Sequence, residues 1–174
     1  HEALITSLSH LPADYHLILC GSGPQEDSLR KLATGLAVAD RIIWAGDVDY
    51  KDIPKYLSVA DVFVRPSVYE GMGNSFIEAF AFGIPVVGTP VGGIVDFLFD
   101  ESKNTHPDGL KTGYVATVDD PKDIAKQVEK VFADSNESSI RVKSAKELAL
   151  KEYDWDYIAD RMHQEIWKIL IKQT

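Results

Sequence analysis

A chain of 174 residues, 45% of them hydrophobic, has enough apolar material for one full core and reads as a single globular domain. Its formal net charge of −9 argues against nucleic acid or an anionic membrane surface as a direct partner, because both need clustered Lys and Arg. The one cysteine, Cys20, excludes an internal disulfide, favours a reducing compartment and, at the end of an apolar run, reads as a buried structural thiol. No apolar run approaches the ~20 residues of a membrane span, and no basic-plus-apolar signal segment opens the chain. The localisation expected is cytoplasmic.

The chain opens at His1 with HEALITSLSHLP, which reads as the middle of a helix and hence as the start of an excised piece of a longer protein. Five short apolar runs follow: HLILC (16–20), RIIWAG (41–46), DVFVRPS (61–67), IPVVGT (84–89) and GYVATV (113–118). They mostly lack polar alternation, as strands covered on both faces do. Helices are expected between them, over 25–37, 51–58, 75–82 and 93–100, and over 121–134, where Asp120 is the N-cap, Pro121 the first helical residue, and Ile124, Val128, Val131 and Phe132 one apolar stripe. The polar stretch 100–112 reads as an exposed loop. From about 138 to 172 the sequence is charged and helical, with Trp155, Ile158, Met162, Ile166 and Ile169 spaced as one apolar face that packs on the core or braces a neighbouring domain. The fold class predicted is α/β, a Rossmann-like doubly wound parallel sheet with a C-terminal helical extension. Ligands in such sheets sit beyond the carboxyl ends of the strands.

Three glycine turns feed helices, and unpaired N–H groups at a helix start attract phosphate. In GSGP (21–24) the third glycine of a dinucleotide signature falls at Glu26 and is absent, which argues against an NAD site and leaves a close approach to a ligand or a plain connection. In GMGNS (71–75), Ser75 and Glu78 have the spacing of a capping box, in which Glu78 would only close the helix start. That reading leaves Glu70 unexplained. Carboxylates on both sides of an anion-binding turn repel phosphate but accept hydrogen bonds from hydroxyls, and a nucleotide-sugar alternates diol, diphosphate and diol. PVGGI (90–94) reads as part of a sugar pocket or as a simple turn.

The run Glu70-Gly71-Met72-Gly73-Asn74-Ser75-Phe76-Ile77-Glu78-Ala79, followed by Phe82-Gly83-Ile84-Pro85-Val86-Val87, resembles the E-x7-E signature of retaining glycosyltransferases of the GT-B fold, family 4. GSGP, DVFVRPS, the VGG turn at 91–93, Gly109-x3-Gly113 and Tyr153-Asp154-Trp155 resemble the C-terminal donor-binding domain of that family in the same order, over nearly the whole chain. The resemblance implies one half of a GT-B fold over 1–174, with the acceptor-binding N-terminal domain outside this chain. The function implied is binding of a nucleoside-diphosphate sugar for retaining transfer of a hexosyl group to a glycan, lipid or polysaccharide precursor.

Carried over by residue, the resemblance makes Glu70 the catalytic-site acid toward the transferred sugar and Glu78 the acceptor for the ribose hydroxyls. The amides of Met72, Gly73, Asn74 and Ser75, with Gly71, face the sugar and the diphosphate; Gly21 flanks the diphosphate, and Val48, Asp49 and Tyr50 hold the nucleobase. It implies neither a cofactor nor an essential metal, the substrate being a UDP- or GDP-sugar, and it leaves open peripheral membrane association of the full-length protein. Members carry an Arg and a Lys just before the helix that opens this chain, so the chain by itself is expected to be inactive, and Arg65 reads as a surface arginine. A GT-B sugar-nucleotide epimerase and a catalytically silent partner subunit remain as alternatives.

Overall fold

The computed structural model describes residues 1–171, with side-chain surroundings given through 168. Helix α1 (Glu2–Leu8) leads into β1 (Leu17–Cys20), α2 (Glu26–Gly35), β2 (Ile42–Gly46), α3 (Ile53–Val59), β3 (Phe63–Arg65), α4 (Asn74–Phe82), β4 (Val86–Gly88), β5 (Tyr114–Val115), α5 (Pro121–Ala133), α6 (Ser135–Glu152) and α7 (Trp155–Ile171). Every strand pairing is parallel, as the alternating order predicts, but the five strands form two ladders, β1–β2 and β3–β4–β5. Among the described residues no helix is long and apolar enough to cross a membrane.

The strands are shorter than their apolar runs because burial, not pairing, accounts for the flanking residues. In β4 and β5 successive side chains go to opposite faces. Val86 and Val115 join Phe76, Ala79 and Phe80 of α4 and Ala145 and Ala149 of α6, whereas Val87 and Tyr114 join Ile124, Val128 and Val131 of α5. This ladder is therefore covered twice, as continuous apolar strands require. The β1–β2 ladder is not: Leu19 and Ile42 pack with α1 and α2, but Ile43 on the other face is 55% exposed. Cys20, read as buried, is exposed at the strand end.

Helix starts follow local chemistry. Asp120 accepts from the amides of Lys122 and Asp123 with Pro121 at the first turn, as expected, and Asp134 caps α6 in the same way through Asn136 and Glu137. Three of the four residues in the α5 stripe are buried, and Phe132 is half-exposed, its ring edge against Tyr15. The predicted helix over 93–100 shrinks to a 3-10 turn, Gly92–Asp96, because the chain there enters the core through Ile94, Phe97 and Leu98. The loop 100–112 is anchored at both ends: Asp100 is buried and accepts from the amides of Ser102, Lys103 and Asn104, and buried Thr112 bonds the backbone of Phe97 and Phe99.

The C-terminal extension is two helices broken at Tyr153 and Asp154, where Tyr153 packs edge-on against Phe97 and Asp154 caps α7 through the amides of Asp156 and Tyr157. The apolar face predicted to pack on the core does not do so: Trp155, Met162 and Ile166 are exposed and Ile158 only partly covered, because α7 meets α6 and leaves the body of the fold. The side chain of Ile169 and the whole of Lys172, the last positions of that prediction, lie outside what the structure describes.

A polar staple closes the side of the sheet. Arg141 on α6, only 3% exposed, pairs with Glu101 and Glu137, donates to the Gly113 carbonyl and lies 4.3 Å over the Tyr114 ring. Partial burial pushes the Glu101 carboxyl up, but hydrogen bonding to Arg141 and the charges of Arg141 and Lys130 outweigh it and hold its pKa at about 2. Asp123 is held far below the usual range against its own partial burial by Thr117, Gln127 and Lys103. Both shifts are downward, so their stabilisation is complete above the unfolded carboxylate value of about 4 and is lost as pH falls through the folded values. Thermal melts should show stability declining from about pH 5 toward pH 2, with Glu101→Gln flattening part of the decline. Arg141→Met, which strands Glu101 and Glu137, should cost about 3 kcal/mol at neutral pH in chemical unfolding.

Candidate functional site

Strands β3 and β4 are parallel neighbours, with Arg65 opposite Gly88, so the loops leaving their carboxyl ends run side by side. The first loop, 66–73, carries Glu70 and enters α4 through Gly73 in the left-handed conformation, φ 79°. A Cβ there would lie 3.1 Å from the Phe76 ring. The second loop carries Gly92 and Gly93, and the Gly93 amide donates to the Gly71 carbonyl at 2.7 Å. A Cβ on Gly92 would fall 1.8 Å from the Glu70 carbonyl oxygen and one on Gly93 2.5 Å from that of Gly71. Thr89 adds a hydroxyl bond to the Ser67 carbonyl. The VGG turn, read either as pocket or as connection, is thus the backing on which the glutamate-bearing turn rests.

The helix start exposes backbone donors. No side chain caps α4, its first amides have no acceptor within the helix, and the amides of Met72 and Gly73 donate to no protein acceptor among the described residues. The capping-box alternative fails on register. With Gly73 at the N-cap, Ser75 and Glu78 are the second and fifth helical residues, and Ser75 Oγ accepts instead from Arg65 Nη1 at 2.9 Å.

Arg65, read as a surface arginine, belongs to this site. Its Nη2 stands 3.0 Å from Glu70 Oε2, with the Glu70 side chain only 16% exposed. Ser67 Oγ donates to the same carboxylate at 3.3 Å, and the Gly71 amide donates to its other oxygen at 3.2 Å. Neither Arg65 nor Ser67 belongs to the glutamate motif; the signal for Arg65 was a charged residue closing an otherwise apolar strand.

Glu78 is half-buried on α4, one position past Ile77, while Phe76, Ala79 and Phe80 take the core side. The Tyr50 hydroxyl faces it: hydrogen bonding to Glu78, and then its negative charge, push the Tyr50 pKa up. Two regions remote in sequence, 48–50 and 70–78, are thereby brought together. Tyr50 is exposed and Asp49 caps the 3-10 turn that precedes α3 through the Lys51 amide. Val48 and Asp49 line an open groove of about 560 Å³ floored by Ile18, Ile43 and Val59. Gly21 (φ 129°) bonds Gly46 across the end of the β1–β2 ladder at 2.7 Å and makes no hydrogen bond to the 70–75 turn among the described residues. A second groove, about 460 Å³ between His106 and Ser144, shares no residue with these elements.

A family profile described as glycosyl transferases group 1 matches residues 1–148. The chain belongs to that family. It is 32% identical over 159 residues to the lipopolysaccharide core biosynthesis glycosyltransferase LpsE of Rhizobium meliloti, covering 91% of this chain and 43% of the relative. The crystal structure of Anabaena HepE in complex with UDP and glucose superposes with a TM-score of 0.83 at 21% identity, over 97% of this chain and 44% of that one. Sucrose-phosphate synthase from Thermosynechococcus elongatus gives 0.81 at 28% identity, over 99% and 42%. The chain therefore spans less than half the length of these three proteins, and its fold is the Rossmann-like α/β half of a GT-B architecture.

Gly92→Ala should force the two turns apart, since it adds both a clash with backbone and a strained positive φ of 53°. A loss of about 1–3 kcal/mol of stability is expected in chemical unfolding. The Gly23→Ala control, whose Cβ meets nothing within 4 Å at ordinary φ, should cost far less.

Proposed function

We propose that this chain is the donor-binding domain of a retaining family 4 glycosyltransferase, with the acceptor held by a domain outside residues 1–174. The observation that carries the reading is the pair Glu70 and Glu78 at either side of a turn whose amides lack protein acceptors, with Tyr50 of a different loop near enough for Glu78 to raise its pKa. A nucleoside-diphosphate sugar matches this order of groups. Glu78 accepts the ribose hydroxyls, the amides of Met72 to Ser75 and the positive end of α4 receive the diphosphate, and Glu70 accepts hydroxyls of the transferred hexose. The nucleobase lies along Val48 to Tyr50, and Gly21 leaves room beside the diphosphate.

In the reaction the bond from the anomeric carbon to the diphosphate oxygen breaks as the acceptor oxygen bonds on the same face, and the acceptor's hydroxyl proton passes to the departing diphosphate oxygen. The charge gathering on the departing diphosphate is stabilised by donors already oriented in the resting protein. The printed names of two similar proteins support the donor class: HepE is complexed with UDP and glucose, and LpsE is a glycosyltransferase. They leave base, sugar and acceptor to be decided by assay.

Calorimetric titration of the intact protein with UDP-glucose and GDP-mannose tests the reading. One of the two should bind, and EDTA should leave that binding unchanged. Glu78→Gln should weaken binding by about tenfold, the loss of a charge-assisted pair of acceptors. The melting temperature should not fall, because Glu78 caps no helix. Unchanged affinity with lowered stability would return Glu78 to a structural role.

A further inference from the structure

We propose that Arg65 is a positioning residue of the donor site, whose guanidinium neutralises Glu70 and ties it to the start of α4 so that a carboxylate can stand beside a diphosphate without repelling it. This rests on the donor-domain reading and adds to it the group that makes the reading electrostatically consistent. The Glu70 side chain is largely dry, 16% exposed against 48% for Arg65. An uncompensated charge in that position would push a diphosphate away at short range and would itself be costly to bury.

The placement of Arg65 suits this task better than that of a mobile surface cation. It ends β3, where parallel pairing with Gly88 of β4 holds its backbone, so the guanidinium is presented from the sheet and not from the loop it braces. One planar group spans two points five residues apart on the loop, Nη2 to Glu70 Oε2 at 3.0 Å and Nη1 to Ser75 Oγ at 2.9 Å. A lysine ammonium carries the charge but lacks the fork that reaches both. With Ser67 and the Gly71 amide also on the carboxylate, Glu70 keeps one orientation, with one lone pair left on Oε1 for a sugar hydroxyl.

The test is a double-mutant cycle in the intact protein, read by calorimetric affinity for UDP-glucose and GDP-mannose. Arg65→Gln should weaken binding of whichever donor the wild type takes by about tenfold, in the range of close charge pairs, and should lower the melting temperature as Glu70 loses its counter-charge. Arg65→Lys should recover part of that loss by restoring the charge. In a Glu70→Gln background, where no charge needs neutralising, Arg65→Gln should change affinity by less than about twofold. Equal losses in both backgrounds would mean that Arg65 acts on the ligand directly and would overturn the proposal. So would an Arg65→Gln protein that binds donor as tightly as wild type, while the donor reading survived. Failure of the wild type to bind either nucleotide-sugar would remove the donor reading and this inference with it.

Discussion

The site rests on a place where two backbones touch with no side chain between them. The turn after β4 presses Gly92 and Gly93 against the carbonyls of Glu70 and Gly71, closer than any Cβ would allow. Because β3 and β4 are adjacent parallel strands, their loops leave the same edge in the same direction. The glycines let that proximity become contact. The contact fixes a turn in which the amides of Met72 and Gly73 have no protein acceptor among the described residues.

Charge is arranged around that row with one compensated and one more open acid. Glu70 is partly dry and is balanced by Arg65, Ser67 and the Gly71 amide. Glu78 stands on the outer side of α4 with Tyr50 before it. This asymmetry follows from position: Glu70 lies in the crease between the two loops, whereas Glu78 is one helical turn further on. The rest of the fold supports the edge from behind, α4 being clamped to α6 through Phe80, Ala145 and Ala149, and Arg141 holding α6 to the β5 end of the sheet.

The parts of the protein that packing does not close have their own logic. The open face of β1–β2 with Ile43, and the exposed residues of α7, are apolar surfaces left uncovered by a chain that spans less than half of its relatives' length. Their spacing in sequence is that of core residues, because periodicity records which residues share a face and not what lies opposite that face. Of the two readings of the α7 stripe, packing on the core is the one that the exposed Trp155, Met162 and Ile166 do not meet, for this reason.

What the sequence determined by itself was the alternation of short apolar strands with helices, the cap at Asp120 and the E-x7-E turn, all local patterns with local physical causes. The capping-box reading of Ser75 and Glu78 could not be resolved from spacing, since it depended on whether the helix began at Asn74 or two residues later at Phe76, which the left-handed turn at Gly73 decides. Only the tertiary structure placed Gly93 on Gly71 and Tyr50 near Glu78, because each pair joins separate loops that meet only once the ladders have formed, and only the path of the loop after β3 turned Glu70 back onto Arg65. Distance along the chain says nothing of distance across a sheet edge, and the electrostatics of a carboxylate depend on the second.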